Sequence, residues 1–308
     1  MDVLVKTMKT SIEKERMCET TFSNSGPYWH AYTSGKDMPI IFVNVEDFKF
    51  AMNLIAQSAA QYPSVGIIAF EVMNNHFHFV LCAEPEDIFA FWSFIARKLV
   101  RVFPVAKDIS LSLKSIENIH SLRNTIVYTH RNGYVANPNY TPFNYPWGSG
   151  GYYFIDGSPG INLSDMGIRE IRKIFKCRTA HVPKDWKIKD AYVIPTSYCR
   201  IKFGISIFRD AHHYFSSLSK NVEAYSSIAI EIGDDEFLTD SELFNKISNI
   251  AKDKYGIGRI KDLTKAHKIE LARILHYDFR SSNNQIRRLL FLTQIEIDSL
   301  FPLSSKRR

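Results

Sequence analysis

The stretch VMNNHFHFVL (72–81) decides how this chain is read. It is apolar apart from Asn74, Asn75 and two histidines, His76 and His78, two positions apart. In an extended strand, residues i and i+2 share a face, so both imidazoles emerge on one side of what reads as a buried strand. Two imidazoles so placed can bind one metal ion. The same spacing also suits a hydrogen-bonded pair of strand histidines. Random placement of 10 histidines in 308 residues gives about 0.3 such pairs, so the spacing alone does not separate the two.

The flanking sequence supplies the fold. YWHAYT (28–33) alternates and is aromatic, which reads as a strand. Residues 45–62 have helical spacing through Phe48, Met52, Ile55 and Ala59. SVGIIAFEVM (64–73) is a β-branched run and reads as a central strand, followed by HFHFVLC (76–82). Residues 85–103 form a helix with Pro85 and acids at its start, as the helix dipole prefers. Residues 116–132 form another helix, and AKDISLSLKS (106–115) between them is short and plain. Strand, helix, strand, strand, helix is most of a ferredoxin-like α+β unit.

Further along, residues 137–160 are rich in Pro, Gly, Asn and aromatics and read as an ordered wrap and then a linker. A mostly helical stretch begins at 163–175. The acidic EIGDDEF (231–237) marks a second boundary, and about 240–302 is helical throughout. A short amphipathic helix is expected at 2–17. The organisation expected is 1–158, a helical linker region at 159–238, and a helical C-terminal domain at 239–308.

Bulk properties bound the function. The net charge of +7 and a pI of about 9.1 favour a polyanionic partner. Cys18, Cys82, Cys177 and Cys199 lack the short spacing of a zinc site and suggest no disulfide framework. Reduced thiols in a cytoplasm are the expectation. No apolar run approaches a membrane span, and the first residues lack the apolar block of a signal peptide.

The helix at 116–132 carries the next candidates. Its apolar stripe is Ile116, Ile119, Leu122 and Ile126. Tyr128 lies about 200° from Ile126 at roughly 100° per residue, so it points away from that stripe, and Asn132 shares its face. Read alone, Tyr128 is equally an amphipathic surface residue. Asn132 is equally a helix C-cap before Gly133.

Together these pieces resemble a known family. MNNHFHFVL (73–81) is similar to the HUH motif of single-tyrosine, insertion-sequence-200-like transposases, in which two histidines flank a hydrophobic residue. YTHRN (128–132) followed by YPWGSGGYYF (145–154) is similar to that family's second block. In REP-associated tyrosine transposases a Tyr-x-His-x-Asn helix precedes a Pro-Trp turn. The resemblance spans about 26–154. It departs from the family at Asn132-Gly133, where the family has Asn-Pro, and in the plain 106–115 segment.

The resemblance implies a ferredoxin-like HUH domain in which His76, His78 and Asn132 hold Mg²⁺ or Mn²⁺ and Tyr128 is the nucleophile. It implies cleavage of single-stranded DNA, with hairpin or palindromic repeats, through a 5′-phosphotyrosine. It leaves a homodimer open. A phenol is a weak nucleophile at neutral pH, and a cation would polarise the scissile phosphate. Arg97, Lys98, Arg101, Arg123 and Arg131 are the candidate phosphate contacts. His130 falls on another helix face, where packing or DNA contact suits it better than general-base chemistry.

Residues 268–279, 283–292 and 293–301 read as three short helices resembling a helix-turn-helix bundle. Glu296 and Asp298 on the last one leave DNA reading and partner packing equally open. Two rival readings remain: a DNA-binding regulator with a non-catalytic HUH module, and a replication-initiator-type nickase.

Overall fold

The computed structural model describes residues 2–35, 38–136, 140, 144–155, 160–177, 181–220, 228, 240–277, 279, 281 and 283–301. Several sequence features lie outside the described residues. They are parts of the wrap (137–139 and 141–143), the linker at 156–159, the acidic 231–237 stretch and the Lys306-Arg307-Arg308 tail. The chain divides into two compact units. One comprises Met1–Gly133 and Pro142–Asn221, the other Tyr134–Thr141 and Val222–Arg308.

The first unit is α+β. After helix α1 (Asp2–Ser23) come β1 (Tyr28–Thr33), α2 (Val45–Gln61), β2 (Gly66–Val72), β3 (Phe77–Cys82), α3 (Pro85–Val102), β4 (Leu111–Ile116) and α4 (Ile119–Ala136). The sheet order is β2-β3-β1-β4, with every neighbouring pair antiparallel. Helix α1 is longer than the expected 2–17. Residues 111–116 form a strand where the sequence reads as plain connection. Ile116 therefore ends β4, where its spacing had placed it in the following helix. LSLKSI is only half buried, and its weak alternation carries little apolar signal.

Local chemistry explains the helix starts. The Asn44 side chain accepts from the backbone of Glu46 and Asp47, and Asp47 accepts from Asn44 N–H, closing a capping box on α2. Pro85, Glu86 and Asp87 open α3.

The two sheet faces differ in character. Phe77, Phe79, Phe70 and Ala31 face one side by register. There Phe77 meets Trp92 and Phe79 meets Phe91 of α3, ring centres 5.5 and 5.9 Å apart. Burial of each such ring contributes on the order of 2 kcal/mol. The opposite side carries Tyr28, His30 and Tyr32 of β1, His78, Val80 and Cys82 of β3, and Glu71 of β2. Tyr28, Val80 and Cys82 pack with Leu122, Ile126 and Val127 of α4 in a core cluster.

Strand β2 reads as central but stands at the sheet end. Its outer edge is covered: Val72 N donates to Trp147 O, Ser149 N to Phe70 O, and Arg200 N to Ile67 O. Those bonds satisfy groups that an open edge would leave to water, which lets the strand be buried and apolar apart from Glu71.

Residues 160–220 also belong to the first unit. They form a small sheet, β5 (Ile161–Asn162), β6 (Lys187–Lys189) and β7 (Tyr192–Val193), with helices α5 (Ile168–Phe175), α6 (Ile201–Ser206) and α7 (Ala211–Lys220). Phe175, Ile188 and Val193 share a core with Ala56 of α2, while Ile201, Ile207 and Tyr214 join the core beneath α4. All four cysteines are free thiols.

The second unit is helical where described: α8 (Asp240–Tyr255), α9 (Lys265–Tyr277), α10 (Asn283–Leu290) and α11 (Gln294–Leu300). Leu243, Ile247, Leu271, Leu275, Ile286, Leu290 and Ile297 form its core. Thr293 and Glu296 close a capping box at α11. Among the described residues, no helix is long and apolar enough to cross a membrane.

Candidate active site

The histidine pair lies at the start of β3. His78 is its second residue and His76 immediately precedes it, and both are buried. Their ring centres are 4.9 Å apart and their planes nearly perpendicular. Only His78 belongs to the paired strand; His76 reaches it from the turn before β3.

Helix α4 lays Tyr128 against that face. Its ring centre is 5.4 Å from His78 and 5.6 Å from His30, edge-on to both. Tyr128 is fully buried, so it is not a surface residue. Residues 125–133 are buried without interruption, because β1 and β3 cover one side of α4 while 145–153 and α7 cover others. The simple stripe through Ile126 therefore understates how much of this helix is core.

Asn132 lies one turn beyond Tyr128 and is inside the helix, not at its end. Its Nδ2 donates to the Tyr128 carbonyl at 3.2 Å, which leaves Oδ1 as the amide atom with ligand chemistry. Glu71, opposite His78 in the β2–β3 register, accepts from Gly133 N–H at 2.9 Å and also from Asn132 N–H. Glu71 thus fastens the Asn132 turn of α4 to the strand edge beside His78. Burial pushes its carboxyl well above the usual range, against those two amide bonds.

Three residues at the site escape the sequence reading. His30 Nε2 lies 3.3 Å from His78 Nδ1. Asn75 Oδ1 accepts from His76 Nδ1 at 2.6 Å. Glu71 is the third. Alternation within β1 and the acid inside an apolar strand were the available signals, but only strand pairing turns them into contacts. Burial drives His30 down to about 3, with the Lys114 charge adding to it. Burial also holds His78 well below its usual value, followed by the charges of His76 and His30. These two imidazoles are neutral at physiological pH, the form that ligates metals.

The spacing of the two imidazoles is compatible with one cation between them. Metal–nitrogen bonds of about 2.1 Å, plus about 1.1 Å to each ring centre, place two imidazoles on adjacent positions of one ion about 4.5–5.2 Å apart. The observed 4.9 Å falls in that interval. Among the described residues no group of three or more His, Cys, Asp or Glu side chains is arranged to hold a metal. The expected set is smaller, two imidazoles and the Asn132 amide.

His130 is a packing residue. Its Nδ1 lies 2.9 Å from Tyr214 Oη and its Nε2 2.8 Å from Ser149 Oγ. Ser149 Oγ also accepts from Phe70 N–H at 2.9 Å. This network bolts α4 to β2, α7 and the turn after Pro146-Trp147.

The five basic candidates separate. Arg97 and Arg101 are exposed on α3. Lys98 donates to Gln57 Oε1 at 2.6 Å and sits over the Phe94 ring. Arg123 pairs with Glu15 at 2.5 Å and donates to Ile207 O at 2.7 Å. Arg131 is buried. Tyr128 lies beside the histidines; Arg97 and Arg101 share one exposed face of α3, four residues apart, whereas Arg123 and Arg131 are buried.

No family model matches the chain, and no curated protein does. Among solved structures, a REP-associated tyrosine transposase bound to a REP hairpin aligns over 57% of this chain and 93% of that one. The two are 17% identical over that alignment, with a TM-score of 0.29.

Proposed function

We propose that this chain is a metal-dependent, single-tyrosine DNA endonuclease and strand transferase acting on single-stranded DNA. One observation carries the reading: Tyr128 packs edge-on against His78 on the side of the sheet that bears the histidine pair. The β2-β3-β1-β4 order with α2 and α3 as crossovers supports a ferredoxin-like HUH domain. Mg²⁺ or Mn²⁺ is the cation expected.

His76 and His78 then present ring nitrogens and Asn132 an amide oxygen. The cation, when bound, supplies Lewis-acid stabilisation of charge developing on the scissile phosphate. Tyr128 Oη forms the new bond to phosphorus as the bond from phosphorus to the 3′ oxygen breaks. The products are a 5′-phosphotyrosine and a free 3′-OH. The ester linkage is retained, so a 3′-OH can reverse the step or join a different strand. Glu71 and the His130–Ser149–Tyr214 network hold α4 against β2, the strand paired with β3, which gives the nucleophile its alignment.

Tyr128, His76, His78 and Asn132 are all buried, so DNA must open the site to reach them. That burial is the one observation favouring a second reading, a DNA-binding module without catalysis. Labelled single-stranded hairpin oligonucleotides incubated with Mn²⁺ or Mg²⁺ separate the two. A covalent adduct that survives SDS, and is lost in Tyr128→Phe and His76→Ala, supports the transferase. Binding without any adduct supports the module.

A further inference from the structure

The residue next to the first histidine determines which of its nitrogens can serve a cation. Asn75 is fully buried. Its Nδ2 donates to Gly35 O and to Met38 O, both at 2.9 Å. Two carbonyl acceptors can face only the amide's NH₂, which fixes the amide orientation chemically. Oδ1 is therefore the atom 2.6 Å from His76 Nδ1. An amide oxygen only accepts, so Nδ1 of His76 carries the hydrogen. In the neutral ring the lone pair then belongs to Nε2.

We infer that Asn75 is a positioning residue that holds His76 as its Nδ1–H tautomer, so that Nε2 is the nitrogen offered to the cation. The inference rests on the metal reading above for its purpose, but the tautomer itself does not. His76 lies outside the hydrogen-bonded run of β3, in a turn closed by Met73 N–H donating to His76 O at 2.8 Å. The orientation of this ring is constrained through Nδ1. Asn75 supplies that constraint and ties it to the main chain at Gly35 and Met38. Outer-shell acceptors on ligand imidazoles act in this way on tautomer and affinity.

Two readouts on the full chain test this. The first is long-range ¹H–¹⁵N correlation on metal-free protein labelled at histidine, with His76→Gln for assignment. A pyrrole-type Nδ1 and a pyridine-type Nε2 at His76 are expected, and the reverse pattern overturns the inference. The second is Mn²⁺ affinity, from the free-ion signal in electron paramagnetic resonance.

Asn75→Ala removes the acceptor, and affinity should fall about 10–100-fold. Asn75→Asp keeps an oxygen for Nδ1–H while losing both N–H donors to Gly35 and Met38, and should bind Mn²⁺ at least as tightly as wild type. Both variants should lower the unfolding midpoint, which separates loop anchoring from ligand positioning. Equal losses of affinity in Asp and Ala, or none in Ala, overturn the assignment. A wild type that has the expected tautomer but binds no Mn²⁺ contradicts the metal reading, and with it the purpose assigned to Asn75.

Discussion

Gly133→Ala sets a helix rule against a packing contact, and the structure predicts that packing prevails. Replacing an interior helix glycine by alanine ordinarily gains about 1 kcal/mol. A Cβ on Gly133, however, would lie 2.4 Å from Cγ and Cδ1 of Tyr145 and 2.5 Å from Cδ2. That is about 1 Å inside ordinary contact. The Tyr145 ring is buried, and its hydroxyl donates to Val72 O at 2.8 Å. Overpacking costs about 1–3 kcal/mol, and a lost Tyr145–Val72 bond about 0.5–1.5 kcal/mol more. The net expectation is destabilisation by about 1–3 kcal/mol once the helix gain is subtracted. All four tryptophans, Trp29, Trp92, Trp147 and Trp186, lie in the first unit, so urea unfolding followed by their fluorescence reports on that unit. In a Tyr145→Ala background the same substitution should become stabilising, by about 1 kcal/mol. Stabilisation in the native background, or the same sign in both, refutes the packing argument.

Three further outcomes follow from the contacts around α4. Ser149→Ala removes the acceptor of Phe70 N–H and the partner of His130, and should destabilise the first unit by about 1–3 kcal/mol in the same urea assay. Arg97→Gln and Arg101→Gln should each lower the log–log salt slope of single-strand binding by about 0.7 if the residue meets a phosphate, whereas Arg123→Met should leave that slope unchanged and lower stability instead. The Arg123 hydrogen bond holds Glu15 below the usual carboxylate range, against a smaller opposing effect of burial. Its contribution to stability is therefore present above the ordinary carboxylate pKa and lost as pH falls through the depressed value; a Glu15→Gln thermal melt series should show a smaller loss over that acid range than wild type.

The sequence makes some of this site legible and hides the rest for identifiable reasons. The nearness of His76 and His78 is readable because two positions apart in an extended chain are local neighbours, although only His78 lies in the paired strand and His76 in the turn before it. Tyr128 and Asn132 are readable as a helix pair by the same logic. The contacts of His30, Asn75 and Glu71 depend on which strands pair and in what register, and no local pattern encodes that. β4 escapes because LSLKSI is half exposed and its apolar alternation is faint. β2 reads as central because its edge is covered by residues 147–149 and 199–200, which are distant in sequence. A surface position stays open for Tyr128 in the sequence because the stripe through Ile126 accounts for one packing partner, while α4 is enclosed on several sides. In the C-terminal unit, the spacing of short apolar stripes conveys helices, but the surface chemistry of α11 is no guide to a partner.

Of the chain's 15 tyrosines, the proposed function requires one, Tyr128, to form a covalent bond to DNA. Tandem mass spectrometry of the proteolysed Mn²⁺ reaction with a hairpin oligonucleotide tests it directly. The expected result is a 5′-phosphonucleotide adduct on the peptide containing Tyr128, absent when the cation is chelated. An adduct on another tyrosine, or none under conditions where the DNA is bound, would contradict it.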